Sequence, residues 1–574
     1  MLARVQSYVL QGIDALHCEV EVDLDITVSQ GSSVVVGLPD SAVKESVERM
    51  KSALVNAGYA FPTARLVVNL APAEVRKEGP LYDLPIAVGL LVCTGVIRPA
   101  GSAARTPAAR GRGAATTAAH ASRSSPCGGG GPPQGGPEGV RRTQPSADAP
   151  FDPFADEPEP PAPIEPLDLR HYLLAGELAL DGRLRPVRGV IAMADLARQL
   201  RLKGVIVPRE NAAEAAVVPG IEAIGVSTLA EVVGLFNGQI EATPHAPLDI
   251  AALLSTATAE VDFADVKGQE AVKRAIVVAA AGGHNLLMLG PAGTGKTMMA
   301  KALPGILPPL SPEEAIEITR VYSAAGELPA NAGLISTRPV RSPHHTASSA
   351  AIVGGGAVPR PGEVSLAHRG VLFLDELPEF PRAVLETLRQ PLEDHVVTIA
   401  RSHSAVRFPA NIMLVAAMNP TPKGDMPGDA FSRGAMEKYL SKISGPLIDR
   451  IDLHVEAPAV PWKHLSASTG PRGTSSAAMR EQVLAARTRQ AARQGASTPN
   501  ARLSGRRLDT LAPMQPSAHA LIGQAMTSLG LSARAYDKIR RVARTIADLA
   551  GRERIEDPDV LEAIGYRLLD RKPV

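Results

Sequence analysis

Gly290-Pro291-Ala292-Gly293-Thr294-Gly295-Lys296-Thr297 decides how this chain is read. The octet fits G-x-x-x-x-G-K-[ST], the pattern of a phosphate-binding loop. Before it, Asn285-Leu286-Leu287-Met288-Leu289 reads as a short buried strand; after it, Met298-Met299-Ala300-Lys301-Ala302-Leu303 reads as the start of a helix. Strand, loop and helix in that order distinguish a working loop from a chance run of glycines. The glycines let backbone N–H groups turn inward around a polyphosphate, and the helix N-terminus adds a favourable dipole. Lys296 is expected to reach the β- and γ-phosphates, and the Thr297 hydroxyl to bind Mg²⁺. ATP and Mg²⁺ are the expected ligands.

Downstream, Gly370-Val371-Leu372-Phe373-Leu374-Asp375-Glu376 reads as a buried strand ending in two carboxylates. The first acid, Asp375, is assigned to the metal, and the second, Glu376, to the general base that polarises water. Leu414-Val415-Ala416-Ala417-Met418-Asn419-Pro420 reads as another buried strand. Placed parallel to the Asp375 strand, it would bring Asn419 beside the γ-phosphate; on its own, an Asn before Pro is a turn former. In Gly445-Pro446-Leu447-Ile448-Asp449-Arg450-Ile451-Asp452, Arg450 follows a short helical stretch. Its planar fork suits γ-phosphate recognition, as an arginine finger in a neighbouring subunit. The alternative is a structural pair with Asp449 or Asp452.

The order of these elements resembles an AAA+ ATPase, and the words around them resemble the magnesium-chelatase-like ComM/YifB branch. The matching strings are Arg341-Ser342-Pro343-His344-His345-Thr346, Pro361-Gly362-Glu363-Val364-Ser365-Leu366-Ala367-His368, Leu374-Asp375-Glu376-Leu377-Pro378-Glu379-Phe380 and Lys442-Ile443-Ser444-Gly445-Pro446-Leu447-Ile448-Asp449-Arg450-Ile451-Asp452. The resemblance implies a homo-hexameric ring with ATP at subunit interfaces. It also implies a helical C-terminal lid, in which Leu531-Ser532-Ala533-Arg534-Ala535-Tyr536 carries a second sensor and Arg534 reaches the γ-phosphate. Relatives commonly carry a Cys-rich segment after the sensor asparagine. Here Thr421-Pro422-Lys423-Gly424-Asp425-Met426-Pro427-Gly428 holds no cysteine.

The N-terminal region resembles the proteolytic domain of Lon. Lys77-Glu78-Gly79-Pro80-Leu81 stands where Lon has its serine, and the stretch through Arg188-Gly189-Val190-Ile191 where Lon has its lysine. Leu81 and Ile191 offer neither hydroxyl nor amine, so no protease activity is expected. The expected fold class is therefore α/β, a P-loop AAA+ core with a helical C-terminal lid. An α+β Lon-protease-like domain precedes it, interrupted by a disordered insertion. The expected boundaries are 1–98 and 166–240 for the two parts of the Lon-like domain, and 99–165 for the insertion. The ATPase core follows at 250–458, and the lid at 475–574. The insertion is rich in Gly, Pro, Ala, Ser and Arg, too poor in apolar side chains to offset its ordering entropy.

Within the core, Val396 to Phe408 reads as a β-hairpin with arginines near its tip. Arg401 and Arg407, with Arg369 and Arg360, are candidates to contact a phosphate backbone threaded through a ring. His344-His345 lacks an evident third ligand and is read as structural or pore-facing rather than as a metal site.

The bulk numbers set limits. A chain of 574 residues needs several domains, and 45% hydrophobic content is ordinary for a globular protein. A net charge of +1 confines any nucleic-acid surface to local patches. Aromatic content of 3% argues against base-stacking platforms. Cys18, Cys93 and Cys127 show no metal or redox spacing, which suits a reducing, cytoplasmic setting. The opening Met1-Leu2-Ala3-Arg4-Val5-Gln6-Ser7 lacks the apolar core of a signal peptide, and no run of apolar residues is long enough to span a membrane. The family resemblance favours a DNA motor, because ComM-type relatives migrate DNA branches during recombination of incoming DNA. A protein-remodelling ATPase and a chelatase motor for porphyrin metallation are the alternatives. The Lon-like domain weighs against the last, so no porphyrin partner is expected.

Overall fold

The computed structural model describes residues 2–25, 32–98, 164–329, 332–356, 358–400, 405–420, 439, 441–460, 473–496, 498–567 and 569. The phosphate-loop strand, Leu286–Leu289, lies inside a five-stranded sheet. The order is Val340–Arg341, Val371–Leu374, Met413–Met418, Leu286–Leu289, Leu453–Glu456, and every neighbouring pair is parallel. Side chains alternate between two apolar layers. Leu286, Met288, Val371, Phe373, Val415 and Ala417 enter a core shared with helix Glu270–Gly282 and the C-terminal helices. Leu287, Leu289, Leu372, Leu374, Leu414 and Ala416 enter the opposite core, with Leu385 and Phe408. A sheet covered on both faces explains why these strands are continuous apolar runs with no polar alternation. Because the strands are parallel, the turns after Leu289, Leu374 and Met418 open on one edge, where α/β folds place their ligands.

The last hundred residues are helical: Ser476–Gln494, Gly505–Leu511, Pro516–Leu529, Ala533–Leu549 and Asp557–Gly565. Helix Ala533–Leu549 buries Ile539, Val542, Ala543 and Ile546 against the sheet's core. In the same helix, the fully buried Asp548 accepts from Arg493 Nη1 at 2.7 Å, Arg544 Nη2 at 2.9 Å and Asn500 Nδ2 at 2.8 Å. The last of these helices ends at Gly565.

The N-terminal region holds a four-stranded sheet, ordered Leu2–Gln11, Asp14–Asp25, Arg65–Ala71, Ser33–Val36, and a parallel three-stranded sheet of Tyr172–Leu174, Gly204–Pro208 and Glu222–Val226. Helix Ser41–Asn56 is capped by Asp40, whose Oδ1 accepts from Val43 N at 2.7 Å. Strands Tyr172–Leu174 and Glu177–Leu178 are separated by a break at Gly176. A Cβ at Gly176 would sit 2.9 Å from Leu184 Cδ2, so the chain passes too close to its partner ribbon for a side chain. Asn237 ties the two parts together: its Oδ1 accepts from Arg98 N and its Nδ2 donates to Val96 O. The expected insertion lies almost wholly outside the described residues. The N-terminal region packs on the core through Leu173, Ile191 and Val207, which share a cluster with Leu310, Ala315 and Ile318. Among the described residues no helix is long and apolar enough to cross a membrane.

Candidate active site

The loop after Leu289 is built by close backbone contacts. Gly290 N donates to Met418 O at 3.1 Å, and a Cβ on Gly290 would stand 2.1 Å from Ala457 O, so only glycine fits there. Gly293 and Gly295 have φ of 79° and 84°, and a Cβ on either would meet nothing within 4 Å, so it is the left-handed turn and not crowding that favours glycine there. Gly295 leads directly into helix Lys296–Ala302. Gln269, buried with φ 62°, donates to Pro458 O at 2.6 Å and to Thr294 O at 3.4 Å, bracing the loop from outside. No motif marked Gln269 in the sequence.

The polar residues converge at this edge. Lys296 Nζ donates to Gly290 O at 2.7 Å and Pro291 O at 2.8 Å, and lies 3.4 Å from Asn419 Oδ1. Burial lowers the Lys296 pKa, opposed by the negative charges of Asp375 and Glu376. Thr297 Oγ1 donates to Asp375 Oδ2 at 2.9 Å, so the two residues assigned to the metal already touch. Asp375 Oδ1 accepts from Glu376 N at 3.0 Å. Glu376 itself has φ 50°, a left-handed turn that swings its side chain off the strand direction. The strand ending at Asn419 lies between the loop strand and the acid strand, parallel to both. These residues fit a magnesium nucleotide: a glycine arch, an amine beneath it, and a hydroxyl–carboxylate pair at its end.

His345 enters this constellation from an unforeseen direction. Its Nδ1 stands 3.5 Å from Glu376 Oε2. The His344 ring centroid lies 4.1 Å away and the Phe380 centroid 6.4 Å away in a T-shaped arrangement, so two rings flank the imidazole. Among the described residues no group of three metal-ligating side chains occurs.

Arg450 and Arg534 lie elsewhere. Asn285 O accepts from Asp452 N and Leu453 N, and Asn285 Nδ2 donates to Arg450 O, which puts Arg450 at the starting edge of the sheet. The loop is at the finishing edge, a four-residue strand or about 13 Å away. The Arg450 guanidinium pairs with Glu393 and donates to Pro446 O at 2.8 Å; neither Asp449 nor Asp452 is its partner. Asp449 instead pairs with Arg534 Nη1 at 3.4 Å. Arg534 therefore stands with Arg450, away from the loop of its own chain. Both arginines line a groove of about 1130 Å³.

Two further expectations change. Arg369 pairs with Glu314 and Glu317 and lines the same groove, so it is not a free cation on the hairpin side. The hairpin forms as Val396–Ala400 and Ala405–Pro409, with Arg407 exposed opposite Thr398; Arg401 and the tip lie outside the described residues. Its inner side is covered: a Cβ on Gly12 would meet Val406 Cγ1 at 2.6 Å. The cysteine-free segment after Asn419 also lies outside the described residues. Leu81 packs against the apolar cluster that contains Ile191.

The parallel sheet, the arched loop and the acid pair define a P-loop nucleotide-binding domain. A family model described as "Magnesium chelatase, subunit ChlI" matches residues 262–465, and its C-terminal counterpart matches 473–567. A third, "Subunit ChlI of Mg-chelatase", matches 20–104 and 163–211, skipping the low-complexity stretch. That description removes the N-terminal region as an argument against a chelatase-type motor. Competence protein ComM of Haemophilus influenzae is 39% identical over 99% of this chain and 98% of its own. YifB of Salmonella typhimurium is 38% identical with the same coverage. The Magnesium-chelatase 38 kDa subunit of Rhodobacter capsulatus is 29% identical over 29% of this chain and 51% of its own. The chain belongs to the ComM/YifB family of magnesium-chelatase-like AAA+ proteins.

Proposed function

We propose that this protein is an ATP-hydrolysing ring motor that acts on DNA. The observation that carries the ATPase reading is the contact of Thr297 Oγ1 with Asp375 Oδ2 beside Lys296. Bound ATP with Mg²⁺ supplies the phosphoanhydride to be cleaved. Lys296 neutralises phosphate charge, and Thr297 and Asp375 hold the metal. Glu376 takes a proton from the attacking water, while Asn419 orients it. Arg450 and Arg534, held at the opposite edge of the sheet, serve the nucleotide of the next subunit. This head-to-tail use of two different faces closes into a ring, and a homo-hexamer is the expected form.

The C-terminal helices act as the lid, and the N-terminal region keeps a Lon-like fold without its chemistry. DNA is favoured as substrate because the full-length relative carries the name competence protein, whereas the chelatase subunit aligns over under a third of this chain. Stimulation of turnover by forked DNA, unfolded polypeptide and porphyrin discriminates the readings. Forked-DNA stimulation lost in Arg407→Ala, with basal turnover kept, supports the DNA motor. A polypeptide response without a DNA response overturns it in favour of protein remodelling.

A further inference from the structure

The groove at the starting edge of the sheet has two unlike ends. Near Arg450 most cations have acid partners, as in Arg450–Glu393, Arg534–Asp449 and Lys538–Asp452, with Arg541 beside them. At the other end, between the sheet and the C-terminal helices, four guanidinium groups face two carboxylates. Arg338 and Arg369 consume both: Glu314 pairs with each of them, and Glu317 pairs with Arg369 and His368. Arg338 spends its remaining donors on Pro308 O and Arg369 O. Arg487 and Arg502 have no carboxylate within ion-pairing distance among the described residues, although both are half-buried.

Their donors are only partly used. Arg487 Nη2 donates to Ala280 O at 3.0 Å, while its Nε is buried without a partner. Arg502 bonds Asn411 Oδ1, and Asn411 O accepts from Arg369 N at 2.7 Å, so Arg502 and Arg369 flank one residue. Burial, then repulsion from Arg338, lowers the Arg487 pKa to about 10. His395, also on the groove wall, is lowered to about 4 by burial and by Arg502. It is neutral near pH 7 and adds no charge. His368 is likewise held down by burial, and Glu313 is exposed on the solvent side. A surplus of half-buried positive charge with unused, planar N–H donors is costly unless an anion supplies the missing acceptors.

The geometry points to a second phosphate-binding site in this groove, formed by Arg487 and Arg502 and buttressed by Arg338 and Arg369. Paired guanidinium forks match phosphate oxygens in bidentate fashion, and a cavity of about 1130 Å³ admits a polyphosphate or a stretch of nucleic-acid backbone. The site is separate from the phosphate loop, which opens on the other edge of the sheet.

The test uses the full-length Lys296→Ala protein, so that binding at the loop is disabled. It is titrated calorimetrically with inorganic pyrophosphate, before and after adding Arg487→Gln with Arg502→Gln. Pyrophosphate binds the parent, and the double change weakens it by about tenfold or more, the effect of losing a charge-assisted hydrogen bond. If the glutamine variant fails to fold, Arg487→Lys with Arg502→Lys replaces it. That pair keeps the charge, loses the fork and gives an intermediate loss. No binding by the parent, or equal affinity in the variants, overturns the site. Competition with a single-stranded oligonucleotide and with ATP identifies the source of the phosphate; displacement by neither also overturns it. The outcome is independent of the ATPase reading, which wild-type turnover tests separately.

Discussion

Arg450 stands at the edge of the sheet opposite the phosphate loop of its own chain. If it serves a neighbouring subunit in a ring, as proposed, this has a quantitative consequence for mixtures of variants. The guanidinium is tied to Glu393 and Pro446 O at the starting edge of the sheet, and strand Leu286–Leu289 separates that edge from the loop by about 13 Å. Arg450→Ala alone should lower turnover by about 10³–10⁵-fold, the usual worth of an arginine finger. Lys296→Ala alone should abolish it. In an equimolar mixture each working site needs an intact Lys296 from one subunit and an intact Arg450 from its neighbour. In a head-to-tail ring each condition holds half the time, so about one quarter of wild-type turnover returns, whatever the ring size. If Arg450 acted within its own chain, every subunit would carry one lesion and no activity would return. The assay is steady-state phosphate release after the two variants are unfolded, mixed and refolded, or co-expressed. Turnover of the mixture no higher than the mean of the two parents would refute the placement of Arg450 across the interface.

Other consequences follow from single contacts. Glu376→Gln should bind ATP with normal affinity yet hydrolyse it about 10²–10⁴-fold more slowly, by nucleotide titration and phosphate release; a near-normal rate makes the base assignment wrong. His345→Ala removes the imidazole 3.5 Å from Glu376 Oε2 and should lower kcat about tenfold, with KM little changed. In the Glu376→Gln background the same change should cost nothing further, and an equal additional loss would show that His345 acts elsewhere. Asp548→Ala leaves Arg493 and Arg544 without their shared carboxylate and should cost about 3–5 kcal/mol in chemical denaturation. A loss under about 1 kcal/mol would show that the pair is screened like a surface pair.

The parts legible in the sequence are those in which one residue type has one physical use. Gly290 must admit Ala457 O, and Gly293 and Gly295 must turn left-handed, so the loop announces itself. The strands around it are buried on both faces, and their unbroken apolar runs are readable for that reason. The same burial hid helix Asp83–Cys93: every residue in it is buried, so no polar face repeats along it. Strand Leu2–Gln11 was missed because its burial is irregular, with Tyr8 and Val9 both inside. The placement of Arg450 and Arg534 depends on which edge of the sheet a connection reaches, and local pattern carries no such information. The contacts of His345 with Glu376 and of Gln269 with Thr294 O were illegible for the same reason, since each reaches the site across the fold.

Calorimetric titration of ATP in the presence of Mg²⁺, into wild type and into Lys296→Ala, addresses the root of the account. Saturable binding by the wild type, removed or weakened at least about a hundredfold by the substitution, is the expected result for a lysine that holds two phosphates. Equal affinity in the two proteins, or none in the wild type, would mean that the glycine arch at Gly290 to Thr297 holds no nucleotide.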